Sequence, residues 1–252
     1  MPARTFAVGD IHGDLTHLEA LLRALPELRE SDTVVFIGDY VDRGPDSKGV
    51  VARVRALAAS GPAEVVCLRG NHEDQWLVST RGPNPSFLFP PGNGCGQMYR
   101  SFKGGPPLEP GEALGPIELQ EMFEVAKWLP ADVIAWMESL PLWYEDEHAI
   151  YVHAGLADDG HGWAHPRDGA STSLLWQRDR DFFRGYEGKR VVFGHTPVEL
   201  LPVDHLGFLA SLFDDPYDVW KRGRLVGVDT GCGKGGFLSA IELPSGKVYE
   251  SR

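Results

Sequence analysis

The chain has 252 residues, of which 42% are hydrophobic and 24% are charged, and its formal net charge is −12. This balance is typical of a globular protein, and the negative charge argues against general binding to nucleic acid or to an anionic membrane. Three cysteines cannot all pair with one another, and no apolar run approaches the roughly 20 residues needed to span a bilayer. We therefore expect a cytoplasmic protein.

The first third of the chain alternates between strand and helix patterns. Apolar or β-rich runs at 4–9, 33–37 and 63–68 predict strands, and apolar side chains at helical spacing over 15–25 and 50–58 predict the helices between them. This βαβαβ order predicts an α/β fold with a parallel sheet and right-handed crossovers.

The next segment, 81–116, has a different composition. Glycine or proline occupies 16 of its 36 positions, against 49 of 252 in the whole chain. Such a segment should not hold long helices or central strands, yet its aromatic and leucine side chains predict a packed irregular loop. Two amphipathic helices are predicted to follow, near 118–128 and 131–140.

The last part returns to strand patterns, at 149–152, 190–193, 225–228 and 237–243. A Pro-Ser-Gly turn at 244–246 then predicts a hairpin with 247–249. No internal repeat is visible. We expect residues 1–252 to form a single domain with a Gly/Pro-rich insert at about 81–116.

Five predicted strands end at a His, Asp or Asn side chain beside a glycine. The segments are GDIHG (9–13), GDYVDRG (38–44), RGNHE (69–73), VHAG (152–155) and FGHT (193–196). Ligands of open α/β sheets bind at the carboxyl ends of the strands, and glycine lets the backbone turn sharply there. The remaining histidines lack this context and are expected at the surface or in loops: His17, His148, His161, His165 and His205.

The donors at these strand ends predict a metal site. They combine oxygen and imidazole ligands without cysteine, which suits Mn²⁺, Fe or Zn²⁺. Six ligands exceed what one catalytic metal with open positions needs, and they suit two metals that share a bridging carboxylate. The set is Asp10, His12, Asp39, Asn71, His153 and His195.

In this order the motifs GDIHG, GDYVDRG, LRGNHE, HAG and GHT resemble the phosphoprotein phosphatase (PPP) branch of the calcineurin-like metallophosphoesterases, in its bacterial and phage form. The resemblance spans about 5–249. It implies a β-sandwich flanked by helices, with two divalent metals, most simply Mn²⁺, at the sandwich edge. It also implies that Asp10 and His12 hold the first metal, that Asp39 bridges both, and that the second is held by Asn71, His153 and His195.

The resemblance further implies in-line attack on phosphorus by a metal-bridging hydroxide. His72 follows ligand Asn71 and is placed to protonate the leaving oxygen, and the family pattern implies that Asp42 orients its imidazole. Arg43 of the same turn can bind a phosphoryl oxygen. Segment 174–179 resembles the Leu-Trp-x-Arg segment of bacterial relatives, which predicts Arg178 as a second phosphate-binding arginine.

Two residues bear on the substrate. Asp42 in GDYVDRG and Glu73 in LRGNHE match the protein-phosphatase form of the family, so we expect hydrolysis of phosphoserine or phosphothreonine in proteins, or of small phosphate esters. The alternative is a bis(5′-nucleosyl)-tetraphosphatase, a branch that differs at both positions. In segment 93–102, which resembles a loop over the cleft of bacterial members, Tyr99 and Arg100 are candidate substrate contacts. A catalytically inactive scaffold should have lost a ligand or His72, and none is missing.

Overall fold

A computed structural model describes residues 3–202 and 215–252, so the predicted loop residue His205 lies outside the described residues. Within these ranges the strands form two five-stranded sheets. Their bounds are β1 Thr5–Val8, β2 Thr33–Phe36, β3 Glu64–Cys67, β4 Trp143–Glu145, β5 Ile150–Val152, β6 Val191–Phe193, β7 Trp220–Arg222, β8 Leu225–Gly227, β9 Ser239–Leu243 and β10 Val248–Glu250. No helix in these ranges is both long and apolar enough to cross a membrane.

Each sheet has three parallel strands with antiparallel strands added. The first has the order β10-β9-β1-β2-β3, in which β1, β2 and β3 run parallel, with Thr5 opposite Thr33 and Thr33 opposite Glu64. The second has the order β4-β5-β6-β8-β7, in which β5, β6 and β8 are parallel. The parallel βαβαβ unit and the terminal β9–β10 hairpin confirm the sequence prediction.

The two sheets pack face to face, and helices cover their outer faces. Side chains alternate along β2, so that Val34 and Phe36 lie in the core beneath the helices while Val35 lies in the core between the sheets. Val35 shares that inner core with Tyr151 of β5 and Val192 of β6. Burial on both faces explains why the strands appear in the sequence as continuous apolar runs.

The helices of the described residues are short. Their bounds are α1 Leu15–Ala24, α2 Ser47–Ser60, α3 Asn71–Arg81, α4 Pro85–Leu88, α5 Cys95–Lys103, α6 Pro116–Met122, α7 Val125–Trp128, α8 Ala131–Ser139, α9 Ser171–Trp176 and α10 Arg180–Gly185. Asp14 and Asp46 cap α1 and α2 through hydrogen bonds to backbone N–H groups. Helices α1 to α8 cover the first sheet, and α9 and α10 cover the second.

The Gly/Pro-rich insert is more regular than the predicted irregular loop. It contains α4, a 3₁₀ turn at Pro91–Asn93 and the nine-residue α5. Gly94 and Gly104, both left-handed, flank α5, so glycine bounds the helix and does not prevent it. Four elements were not predicted, because each is too short to show a repeating pattern of apolar residues: β4, β7, α9 and α10. The single helix predicted over 118–128 is divided into α6 and α7.

Candidate metal and phosphate site

The predicted donor residues lie together because they follow parallel strands. Asp10, Asp39 and Asn71 follow strands of the first sheet, while His153 and His195 follow β5 and β6 of the second. All six predicted ligands are buried, with side chains that contact one another across the edge of the sandwich.

The backbone is unusual at the same residues. Among the residues that the structure describes, the non-glycine residues with positive φ are all predicted site residues: His12 (48°), Asp39 (53°), Asp42 (71°), Arg43 (65°) and His195 (63°). Such left-handed conformations cost about 1–3 kcal/mol each and persist where surrounding contacts determine them. Here the N–H groups of Ile11 and His12 both donate to the carbonyl of Asp39, at 3.0 and 2.8 Å.

Gly194 allows one carboxylate to reach the site. A Cβ at Gly194 would lie 2.0 Å from Oδ1 of Asp10. With glycine there, the Asp10 carboxylate accepts a hydrogen bond from the His195 N–H, at 3.1 Å to Oδ2. At this strand end, the glycine next to the polar residue therefore has a specific packing role.

Asn71, His153 and His195 form one ligand group. Asn71 Oδ1 lies 2.9 Å from His153 Nε2 and 2.9 Å from His195 Nδ1, and Asp39 Oδ1 lies 3.5 Å from His153 Nε2. His153 Nδ1 lies 3.1 Å from the carbonyl of Ile37 and must carry the proton, so Nε2 presents a lone pair to Asn71 Oδ1. Two facing acceptors repel each other, and a cation between them would bind both.

His12, Asp10 and the second Asp39 oxygen form the other group. His12 Nδ1 lies 3.0 Å from the carbonyl of Val41, which leaves Nε2 unprotonated. That nitrogen lies 3.4 Å from Asp39 Oδ2 and 3.8 Å from Asp10 Oδ2. Because the two Asp39 oxygens face different groups, these side chains fit two cations with Asp39 between them.

The electrostatics of the site also fit cations. Burial lowers the pKa of His12 and of His153, and lowers that of His195 to about 2, so the rings stay in the neutral form that binds metals. Burial, with Asp229 and Asp39 nearby, raises the pKa of Asp10 well above its ordinary value. For Asp39, burial alone would raise the pKa, but positive charge around the carboxylate, including that of Arg43, holds it well below the usual range.

His72 is oriented by a buried carboxylate. Its Nδ1 lies 2.6 Å from Asp42 Oδ2, and its Nε2 lies 3.9 Å from Asp39 Oδ2. The indole N–H of Trp76 donates to both Asp42 oxygens, at 2.9 and 3.0 Å. Trp76 was missed by sequence reasoning, although it follows His72 by one helical turn and so lies on the same face of α3.

Glu73 was predicted from the sequence only to indicate the substrate class. In the structure it connects two backbone segments of the site. Its carboxylate accepts hydrogen bonds from the N–H groups of Asp39 (2.9 Å), Tyr40 (2.9 Å) and Gly70 (3.0 Å). Burial, followed by the charge of Asp39, raises its pKa to about 8. One side chain therefore ties the loop after β2 to the start of α3.

The two predicted phosphate-binding arginines line the same cavity, Arg43 from the loop after β2 and Arg178 from the loop between α9 and α10. Arg43 Nε donates to the carbonyl of Gly92 at 3.2 Å, and its guanidinium contacts His12 Nε2. Arg178 Nε donates to His195 Nε2 at 2.9 Å. The cavity has a volume of about 280 Å³ and is also lined by His72 and the exposed Trp176.

The two weaker substrate-contact candidates are engaged within the insert. The Tyr99 hydroxyl donates to Glu121 at 2.6 Å. Arg100 forms ion pairs with Glu112 and Glu118, both at 3.0 Å. Neither residue lines the cavity that Arg43 and Arg178 share.

Comparison with known proteins decides the family. The family model described as calcineurin-like phosphoesterase matches residues 3–199. The chain belongs to the calcineurin-like phosphoesterase family. This family uses a dinuclear metal centre, so the chain is a metal-dependent phosphoesterase. The described residues include two candidate ligand groups that share Asp39: His12, Asp39 and His72, and Asp10, Asp39 and His153.

Relatives of this phosphoesterase have been assigned different substrates. The asymmetrical bis(5′-nucleosyl)-tetraphosphatase of Bacillus subtilis is 27% identical over 94% of this chain and 89% of its own length. The symmetrical enzyme of Chromohalobacter salexigens is 24% identical over 97% of this chain and 96% of its own. The catalytic subunit of serine/threonine-protein phosphatase 6 of Drosophila melanogaster is 35% identical, but over 36% of this chain and 30% of its own.

Solved structures confirm the sandwich. A metallophosphoesterase from Sphaerobacter thermophilus superposes with a TM-score of 0.55 and 18% identity, covering 99% of this chain and 87% of the other. A serine/threonine phosphatase from Saccharomyces cerevisiae gives a TM-score of 0.55 and 20% identity, covering 98% and 80%. The implied fold, a β-sandwich flanked by helices, is therefore that of this chain.

Proposed function

We propose that this phosphoesterase hydrolyses dinucleoside polyphosphates, and that Asp10, His12, Asp39, Asn71, His153 and His195 hold its two divalent metals. The observation that carries the substrate class is the extent of similarity. Relatives named as tetraphosphatases match 94% or more of the chain, whereas the protein-phosphatase relative matches 36%. The proposal reverses the order of the two substrates expected from Asp42 and Glu73.

Bound metals polarise phosphoryl oxygens and lower the pKa of a coordinated water towards neutrality. The protein's own residues supply the remaining functions. Arg43 and Arg178 bind the oxygens of the phosphoryl group from opposite sides of the cavity. His72 carries a proton on Nε2 for the leaving oxygen, and Asp42, held by Trp76, accepts the hydrogen bond from Nδ1 and stabilises the charged ring.

Phosphoserine or phosphothreonine hydrolysis is the second candidate, and the Asp42–His72 pair favours it. An alkoxide leaving group needs a proton far more than a phosphate leaving group does, because the alkoxide is the much stronger base. A 2.6 Å contact between His72 and a buried aspartate is the arrangement expected of a general acid with that task. The 280 Å³ cavity is also large enough for a single phosphoryl group.

A comparison of substrates tests the proposal. The Mn²⁺-loaded protein is assayed on diadenosine tetraphosphate and on a phosphoserine peptide, at one salt concentration, because screening alters the binding of charged substrates. We expect the larger kcat/KM for diadenosine tetraphosphate, with nucleotide products identified by chromatography. A larger value for the peptide would overturn the dinucleotide proposal and favour the second candidate. Parallel assays with Fe²⁺ and Zn²⁺ test the expectation that Mn²⁺ supports the highest activity.

A further inference from the structure

A second and larger cavity lies beside the 280 Å³ cavity lined by Arg43, Arg178 and His72, which we call the catalytic cavity. It has a volume of about 730 Å³, within the range of small-molecule sites, and it is formed mainly by the Gly/Pro-rich insert and α6. Its lining is largely apolar. The apolar side chains include Leu88, Phe89, Leu108, Leu114, Leu119 and Met122. We call it the insert cavity.

Arg43 belongs to the walls of both cavities. Its backbone N–H donates to the carbonyl of Gly94 at 3.3 Å, and its Nε donates to the carbonyl of Gly92 at 3.2 Å. A Cβ at the left-handed Gly94 would lie 2.2 Å from the Arg43 nitrogen, so only glycine lets the insert approach this closely. The insert therefore positions the arginine that we place on the phosphoryl group.

The wall of the insert cavity also includes a cationic side chain. Lys234 lines the insert cavity but not the catalytic one, and its Nζ lies 3.7 Å from the buried Asp229. A phosphomonoester has no second anionic group to place there. A polyphosphate whose reacting phosphorus lies in the catalytic cavity would extend past Arg43, and Lys234 would neutralise the next phosphate.

Phe89 supplies a surface for an aromatic ligand. It lines the insert cavity with 55% of its surface exposed, and its ring lies 5.2 Å from that of Phe123. An exposed aromatic ring in an apolar cavity suits stacking with a nucleobase.

We infer that the insert cavity binds a nucleoside of the substrate, with the base against Phe89 and the phosphate chain along Lys234 and Arg43. This inference rests on the proposed function, because a phosphoprotein has no nucleoside. It assigns substrate selection to the insert and leaves the reaction itself to the residues at the strand ends.

Phe89→Ala tests the inference, and Ile117→Ala is the matched control, since Ile117 is 75% exposed and lies outside the lining of the insert cavity. The Mn²⁺-loaded proteins are assayed on diadenosine tetraphosphate and on p-nitrophenyl phosphate, and ADP binding is measured by calorimetry. We expect Phe89→Ala to lower the ratio of the two kcat/KM values about tenfold, through KM, and to weaken ADP binding about tenfold. The control should change neither quantity.

A second variant fills the cavity. Ala113→Trp places an indole in the insert cavity, and it should weaken ADP binding at least as much as Phe89→Ala. Lys234→Met should raise KM for diadenosine tetraphosphate and reduce its dependence on salt.

The outcomes separate the inference from the proposed function. If diadenosine tetraphosphate is not hydrolysed but ADP binding still depends on Phe89, the proposed function fails and the nucleoside site stands. If diadenosine tetraphosphate is hydrolysed and both Phe89→Ala and Ala113→Trp bind ADP like the wild type, the inference is overturned. If Phe89→Ala or Ala113→Trp raises KM for the phosphoserine peptide but leaves ADP binding unchanged, the inference is also overturned. The insert cavity would then bind an apolar side chain of a peptide substrate.

Discussion

Asp39 combines a left-handed backbone conformation with complete burial of a charge, two features that are each unfavourable in isolation. Its N–H donates to Glu73 and its carbonyl accepts from Ile11 and His12, so neighbouring loops impose its conformation. Its two carboxylate oxygens face different ligand groups. The site is thus built at a residue whose energetic cost is met by the contacts around it.

Replacing this carboxylate should remove metal together with activity. We expect Asp39→Asn to retain less than two metals per chain after purification in Mn²⁺, because an amide offers one neutral oxygen where two charged oxygens bind. Metal content measured by mass spectrometry checks this, with the exposed Asp168→Asn as the control. Two full equivalents of metal in Asp39→Asn would show that Asp39 does not bridge.

His72 should affect rate and leave metal content unchanged. We expect His72→Asn to keep both metals and to lose about 10²–10⁴-fold in kcat on phenyl phosphate, the usual contribution of general acid–base catalysis. The loss should be smaller on p-nitrophenyl phosphate, whose leaving group needs little protonation. Equal losses on the two esters would contradict an acid role for His72.

Short elements are held in place by specific polar contacts as well as by their apolar faces. At the start of the first sheet, Arg4 Nε and Nη2 donate to Asp32 Oδ1 and Oδ2, at 3.1 and 2.5 Å. The backbone N–H of Arg29 adds a hydrogen bond to Asp32 at 2.9 Å. Burial alone would raise the pKa of Asp32, but these hydrogen bonds outweigh it and lower that pKa. The loop before β2 is thereby attached to the residue before β1.

Asp32→Asn should therefore destabilise the protein in a pH-dependent way. Because the pKa of Asp32 is lower in the folded state, its contribution is complete above the unfolded value of about 4 and is lost as the pH falls through the folded value. We expect a loss of about 1.5–3 kcal/mol in the free energy of unfolding by urea at pH 7, the usual range for hydrogen bonds to a charged group, and a smaller difference below about pH 4.

The exposed Arg55–Asp132 pair provides a control with the same residue types. Its Nη1–Oδ2 distance is 2.8 Å, but both side chains are open to solvent. Surface ion pairs of this kind contribute little to stability, so Asp132→Asn should unfold at nearly the same urea concentration as the wild type. Equal effects of the two substitutions would mean that burial of Asp32 is not what matters.

At the scale of the whole molecule, two sheets close around a cluster of buried carboxylates and neutral histidines in a chain of net charge −12. Without cations, burial and neighbouring carboxylates disfavour the charged form of Asp10. Ligands at this edge come from both sheets, so a bound metal would connect the two halves of the sandwich. Metal binding should consequently stabilise the folded state as a unit.

Thermal unfolding tests this coupling. We expect Mn²⁺ to raise Tm by about 5–10 °C when free Mn²⁺ exceeds its Kd about 100-fold. Chelation with verified metal loss should reverse the shift and abolish hydrolysis of p-nitrophenyl phosphate. Asp39→Asn should show a smaller shift. A Tm that does not respond to Mn²⁺ in the wild type would contradict a metal that links the two sheets.

Features with a local or periodic physical basis could be predicted from the amino-acid sequence. Apolar runs predicted the β1–β3 strands, leucine and valine spacing predicted α1 and α2, and the order of five short motifs predicted the family. Positions such as Asp10 and His195, 185 residues apart, could be proposed as neighbours because both follow parallel strands, which end at a common edge.

Features that depend on contacts between distant residues became visible only in the folded chain. The glycines of the insert gave no sign that α5 forms between them. The helix is stabilised by Met98 and Tyr99, which pack in the core beneath the helices of the first sheet. Three further features also depend on residues that are distant in sequence. They are the hydrogen bonds from Trp76 to Asp42, the hydrogen bonds from the loop after β2 to Glu73, and the cavity at Arg43. Local pattern specifies which residues can form a strand end or a ligand, whereas packing between segments determines which side chains meet, and the shape of the cavity beside the site is a result of that packing.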